Sequence, residues 1–123
     1  MSATILIADD DPTVVLLMKE NLSAEGYNVL DAYDGESALT IAAASKPHLI
    51  LLDMNMPGLS GFQVLERLRS SEATKGIPVI FLSGDASVQA PPELRGVIGV
   101  AYLAKTVPLE ELNKRIAALV KKN

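Results

Sequence analysis

Leu49–Ile50–Leu51–Leu52–Asp53 is the stretch whose reading decides the fold. Four aliphatic residues stand in a row without polar alternation, and a carboxylate closes the run. A strand with one wet face alternates. A strand covered on both faces does not, and that is the habit of parallel sheets flanked by helices. The same pattern recurs outward in both directions. Ile5–Leu6–Ile7–Ala8 runs into Asp9 and Asp10, Val79–Ile80–Phe81–Leu82 into Ser83, and Val100–Ala101–Tyr102–Leu103 is followed closely by Lys105. A weaker run, Asn28–Val29–Leu30–Asp31–Ala32, does alternate and reads as an edge strand.

Helical patterns fill the intervals. Asp11 before Pro12 is an N-cap followed by proline at the first helical position. Val14, Val15, Leu17, Met18 and Leu22 then recur at helical spacing, and Gly26 ends the helix. Gly35 to Ser45 is a second helix, closed by Pro47. Gly61 to Ser70 is a third, with Phe62, Leu65 and Leu68 on one face. Pro108 opens the last, with Leu109, Leu112, Ile116, Leu119 and Val120 directed inward. Strands alternating with helices imply right-handed crossovers and helices on both sheet faces. The rhythm breaks between Ser83 and Val100. Ala90 and Pro91 each precede a proline and are held out of helical geometry. Gly96 and Gly99 weaken any helix beyond the prolines. A loop over 85–91 and a short helix over roughly 92–98 are expected there.

Composition narrows the function. The chain has 123 residues, enough for one domain. Apolar residues make up 49% and aromatics 4%, so the core is aliphatic. A net charge of −4 provides no basic stripe for nucleic acid. No cysteine is present, which excludes disulfides and thiolate metal sites. No apolar run approaches the roughly 20 residues of a membrane span, and acidic residues interrupt the first apolar run before it could serve as a signal segment. These features give the expectation of a cytoplasmic domain.

In an open parallel sheet, ligands bind beyond the carboxyl ends of the strands. Asp9, Asp10, Asp53, Ser83 and Lys105 all fall there. Clustered carboxylates invite a hard divalent cation, and Mg2+ suits a site with few protein oxygens plus waters and a phosphoryl oxygen. A carboxylate can also act as a nucleophile and accept a phosphoryl group as an acyl phosphate. A lysine and a hydroxyl would offset and hydrogen-bond the charge on the transferring group. Asp11 is explained as the helix cap. Met54 and Met56 are gap-fillers around the loop after Asp53. His48 is a surface residue with no evident partner.

Four blocks then carry a resemblance. Ile5–Leu6–Ile7–Ala8–Asp9–Asp10–Asp11–Pro12, Leu51–Leu52–Asp53–Met54–Asn55–Met56–Pro57–Gly58, Val79–Ile80–Phe81–Leu82–Ser83–Gly84 and Tyr102–Leu103–Ala104–Lys105 together resemble response-regulator receiver domains of two-component signalling. The resemblance implies a flavodoxin-like α/β sandwich, with a five-stranded parallel sheet of order 2-1-3-4-5 and a single domain over 1–123. It implies Asp53 as phosphoacceptor. Mg2+ would be held by Asp9, Asp10, Asp53 and the backbone carbonyl of Asn55. Ser83 would hydrogen-bond the phosphoryl group, Lys105 would pair with its oxygens, and Tyr102 would be the aromatic that moves on activation. The implied partner is a sensor histidine kinase or histidine phosphotransfer protein, and its docking surface is expected to include the first helix near Val14, Val15 and Met18, because that helix starts beside Asp10 and carries apolar residues on more than one side.

Two features depart from the family pattern. Thr106 follows Lys105 where proline is usual, and a cis bond to threonine would cost about 2.5–4 kcal/mol, so a trans bond is expected. The Pro91–Pro92 segment implies a fourth helix that is short or irregular. An aspartyl phosphohydrolase is the competing enzyme reading, but it needs an acid two positions after the nucleophile, and Asn55 stands there. A pseudo-receiver that only binds partners would not need the intact acidic set.

Overall fold

The computed structural model describes residues 2–84 and 99–121. Strand β1 (Thr4–Ala8) leads to helix α1 (Pro12–Ala24), β2 (Asn28–Ala32), α2 (Gly35–Ser45), β3 (Leu49–Asp53), α3 (Gly61–Arg69), β4 (Val79–Ser83), β5 (Val100–Ala104) and α4 (Leu109–Lys121). The five strands are all parallel, in the order β2-β1-β3-β4-β5. Every residue of β3 and β4 is buried. Period-two alternation sends Ile50, Leu52, Val79 and Phe81 into a core with α2 and α3. It sends Leu49, Leu51, Ile80 and Leu82 to the other face, against Val15, Met18 and Leu22 of α1 and Leu112 and Ile116 of α4.

Local signals fix the helix ends. The Asp11 side chain accepts from the Thr13 N–H, and Asp34 caps α2 by accepting from Ser37. Ser60 and Gln63 form a reciprocal capping box at α3. Gly26, at φ 92°, takes the left-handed turn that leaves α1. At the end of α2 that role falls to Lys46, at φ 48°. A side chain there is strained, so Lys46→Gly is expected to stabilise the fold by roughly 0.5–1 kcal/mol. The check is a higher urea midpoint with an unchanged m-value.

Several expectations need correction. The run Val100–Leu103 was expected to be buried on both faces, yet β5 is half-buried throughout. It shares its residue types with the inner strands, but it pairs on one side only and lies at the sheet edge. In α1, Val15 and Met18 are buried and Val14 half-buried, so of these three only Val14 reaches the surface. The exposed apolar residues of α1 are Leu16 and Leu17, each 57% exposed, because 3.6-residue periodicity turns only Val15, Met18 and Leu22 fully onto the sheet. Leu109 is exposed rather than inward, since it opens α4 beyond the strand ends. His48 has a partner: its Nδ1 accepts from the Thr4 N–H at 3.0 Å.

Other readings hold. Met56 is buried and Met54 half-buried against the α2/α3 core. No cis peptide bond occurs among the described residues, so Lys105–Thr106 is trans. The loop over 85–91 and the short helix over 92–98 lie outside the described residues.

Candidate phosphoacceptor site

The register of the sheet builds the site. Ile5 pairs with Leu49 and Ile7 with Leu51, so Asp9 and Asp53 arrive level, two residues further on. Both keep the phase of the side chains that face α1 and α4. Leu103 pairs with Leu82, which pairs with Asp53, and Lys105 follows in the same phase. Three side chains far apart in sequence therefore point into one space.

Lys105 Nζ lies 2.9 Å from Asp9 Oδ2 and 3.3 Å from Asp53 Oδ1. The Asp9 and Asp53 side chains are only 3% and 5% exposed. The Asp11 N–H donates to Asp9 Oδ1 at 2.9 Å, and the Asn55 N–H to Asp53 Oδ1 at 3.3 Å. Burial pushes the Asp53 carboxyl above its usual range and the Asp9 charge adds to this, while Lys105 and the Asn55 N–H oppose it. Burial draws the Lys105 ammonium downward, but Asp9 and Asp53 outweigh it and hold the group above its ordinary value.

The donor set fits a hard cation. Asp9, Asp10 and Asp53 each offer a carboxylate oxygen, all within 4.8 Å of one another. Asp9 Oδ2 is buried and has no hydrogen-bond partner beyond its ion pair with Lys105. Asp10 is exposed at the rim, where waters would complete a coordination shell.

Ser83 is buried and, being in the other phase, turns toward the α2/α3 side. Its carbonyl accepts from the Lys105 N–H at 2.6 Å. Tyr102 is half-buried on that same side, at the level of Phe81. Asn55 is exposed just past Asp53. The structure thus brings together Asp9, Asp10, Asp53 and Lys105, and sets Ser83 and Asn55 at the margin.

Sequence reasoning overlooked Gly61. Its N–H donates to the Met54 carbonyl at 3.0 Å, and an added Cβ would stand 2.7 Å from the Asp53 carbonyl oxygen. The capping pattern Ser60-x-x-Gln63 was the available signal, since it places Gly61 in the first turn of α3. The Asn21–Asn113 pair between α1 and α4 was also overlooked. Nothing in local periodicity reveals a contact between residues so distant in the chain.

Residues 5–117 match the response regulator receiver domain. Over 120 residues the chain is 38% identical to the DNA-binding dual master transcriptional regulator RpaA of Synechocystis sp., covering 96% of this chain and 49% of that protein. A putative response regulator from Chloroflexus aurantiacus superposes with a TM-score of 0.87 at 32% identity, covering 98% of this chain and 99% of that one. The receiver domain of a sensor histidine kinase from Pseudomonas aeruginosa, with a magnesium ion coordinated in its active-site cleft, gives a TM-score of 0.86 at 27% identity, over 98% and 99% of the two chains.

The chain belongs to the response regulator receiver domain family, a class of signalling domains whose shared function is to accept a phosphoryl group. It spans about half the length of curated relatives such as RpaA.

Proposed function

We propose that residues 1–123 form one receiver unit that takes a phosphoryl group onto Asp53 from a phosphohistidine donor and catalyses both this transfer and the later hydrolysis. The observation that carries the reading is the convergence of buried Asp9 and Asp53 on the Lys105 ammonium, with exposed Asp10 beside them. An Asp53 carboxylate oxygen attacks phosphorus, the P–N bond of the donor imidazole breaks, and the imidazole leaves with the bonding pair. Lys105 moves from ion pairing with Asp53 to pairing with the phosphoryl oxygens. The Ser83 hydroxyl donates a hydrogen bond to the phosphoryl group, and Tyr102, on the same sheet side, follows Ser83. Asp9, Asp10, Asp53 and the Asn55 carbonyl would hold Mg2+, which supplies charge neutralisation for the transferring group. Labelling with acetyl phosphate tests the reading: incorporation should require a divalent cation and yield an acid-stable, alkali-labile acyl phosphate. No incorporation with Mg2+ present would sink it.

A cytoplasmic location belongs to the same proposal. No helix among the described residues is long and apolar enough to cross a membrane. Direct contact with nucleic acid is not proposed, given the net charge of −4.

The partner face is set by the helix register. Asn21 and Asn113 exchange amide hydrogen bonds of 2.8 and 3.2 Å, tying α1 to α4 at one level. Both helices start at the carboxyl end of the sheet, so one turn closer to the site stand Leu17 and Leu109, 57% and 46% exposed. We assign this apolar pair to the phosphodonor protein, a histidine kinase or phosphotransfer protein, because any donor reaching Asp53 passes beside it. Leu17→Asp should slow transfer from the cognate donor by about 10-fold or more, the scale of one interface anchor. Labelling by acetyl phosphate should be unchanged. Equal loss with both donors would mean that Leu17 serves the site itself.

A further inference from the structure

Gly61 opens α3 hard against the end of β3. A Cβ there would lie 2.7 Å from the Asp53 carbonyl oxygen, 3.0 Å from Met54 Cα and 3.0 Å from Phe81 Cε1. Two of the three obstacles are backbone, so no rotamer change relieves them. Phe81 is fully buried and also packs on Phe62, with ring centroids 5.9 Å apart, so it has little room to yield. The Gly61 N–H meanwhile donates to the Met54 carbonyl, which locks the helix start to this corner. The corner from Asp53 to Asn55 is closed on its other side by the Asn55 N–H to Asp53 Oδ1 bond.

We infer that Gly61 is a positioning residue that selects the cation: its bare Cα lets α3 clamp the Asp53–Asn55 corner in a geometry suited to a small octahedral ion. The inference rests on the proposed reading, in which Asp53 and the Asn55 carbonyl are both metal ligands. Mg2+ demands near-ideal geometry at about 2.0–2.1 Å, whereas Ca2+ accepts irregular shells at about 2.3–2.6 Å. A methyl group at Gly61 must displace either α3 or the corner. It should therefore penalise the exacting ion and largely spare the tolerant one.

Gly35 supplies the control. It also opens a helix, and a Cβ there would lie 2.8 Å from both Leu59 Cβ and Val64 Cγ2, so it crowds α3 through side chains alone and not through the backbone of the Asp53–Asn55 corner. Mg2+ and Ca2+ dissociation constants would be measured calorimetrically for the intact chain, Gly61→Ala and Gly35→Ala. Gly61→Ala is expected to weaken Mg2+ by about 10-fold or more, the usual scale for groups that orient metal ligands. Ca2+ should weaken by less than about 3-fold, and Gly35→Ala should leave the ratio of the two constants unchanged. Without metal, the Met54 and Asn55 amide resonances should move in Gly61→Ala and stay in place in Gly35→Ala.

Equal weakening for both ions, or the same behaviour in the two variants, would overturn the inference. Should Gly61→Ala fail to fold, it would be remade with Lys46→Gly. Failure there as well, with Gly35→Ala folded, would make Gly61 a packing residue and overturn the proposal too. If the unmodified chain binds no Mg2+, it is the functional reading that fails.

Discussion

Asp53→Asn is expected to abolish acyl-phosphate formation and, in the absence of divalent metal, to make the fold more stable. The first effect removes the proposed nucleophile. The second comes from the electrostatics: burial and the neighbouring Asp9 charge hold the Asp53 carboxyl above its ordinary value of 3.8. The folded chain therefore binds that proton more tightly than the unfolded chain. Stability from this group is fully present below about pH 4 and is lost as pH rises through the folded value. At neutral pH the ionised group is a liability that the amide removes, so in EDTA the melting temperature should rise on the order of a few degrees. Mg2+ should raise the melting point of the unsubstituted chain and do so much less for the variant. A residue whose loss stabilises the fold but ends its chemistry is held for function. If labelling persists in Asp53→Asn at the original level, the nucleophile lies elsewhere.

Lys105→Ala should act in the opposite direction on stability. Its ammonium is the only cation paired with Asp9 or Asp53 among the described residues. Removing it leaves two buried carboxylates facing each other without a counter-charge. The expected loss in EDTA is on the order of 3 kcal/mol. Millimolar MgCl2 should recover part of it, because a divalent ion supplies the missing charge. Phosphoryl transfer should fall by about 100-fold or more even with saturating Mg2+, since in the proposed function Lys105 offsets the charge that develops on the phosphoryl oxygens. The ammonium is held above its ordinary 10.5, so its contribution is complete below that pH and fades only as pH climbs through the still higher folded value. The variant and the unsubstituted chain should therefore differ across the whole neutral range. Identical melting points in EDTA would show that Lys105 is not the counter-ion.

Much of this was legible in the chain because two simple periods govern it. Uninterrupted runs such as Leu49–Leu52 identified the inner strands. The residue just beyond each of these runs, a carboxylate after β1 and β3, a hydroxyl after the β4 run and a lysine after β5, marked the candidate site, since a parallel sheet gathers its strand ends along one edge. Capping chemistry placed the start of α1 where it falls, at Asp11 and Pro12. What escaped depends on placement rather than composition. Val100–Leu103 looks like an inner strand and lies at the edge. Leu17 has the same apolarity as Met18 but differs by one step around the helix. His48 looked solitary because its hydrogen-bond partner, Thr4, lies on a strand 44 positions away. Gly61 matters for what it lacks, and a missing Cβ has meaning only once its neighbours are known.

The 2.6 Å hydrogen bond from the Lys105 N–H to the Ser83 carbonyl has a mechanical meaning. It yokes the hydroxyl-bearing end of β4 to the ammonium-bearing end of β5, so the two arms that would grip a phosphoryl group share one hinge. An inward pull on Ser83 would tow the root of Lys105 along with it. Tyr102 lies in β5, three residues before Lys105, and would inherit the stroke. The two arms would then engage together, and a half-closed grip would be short-lived.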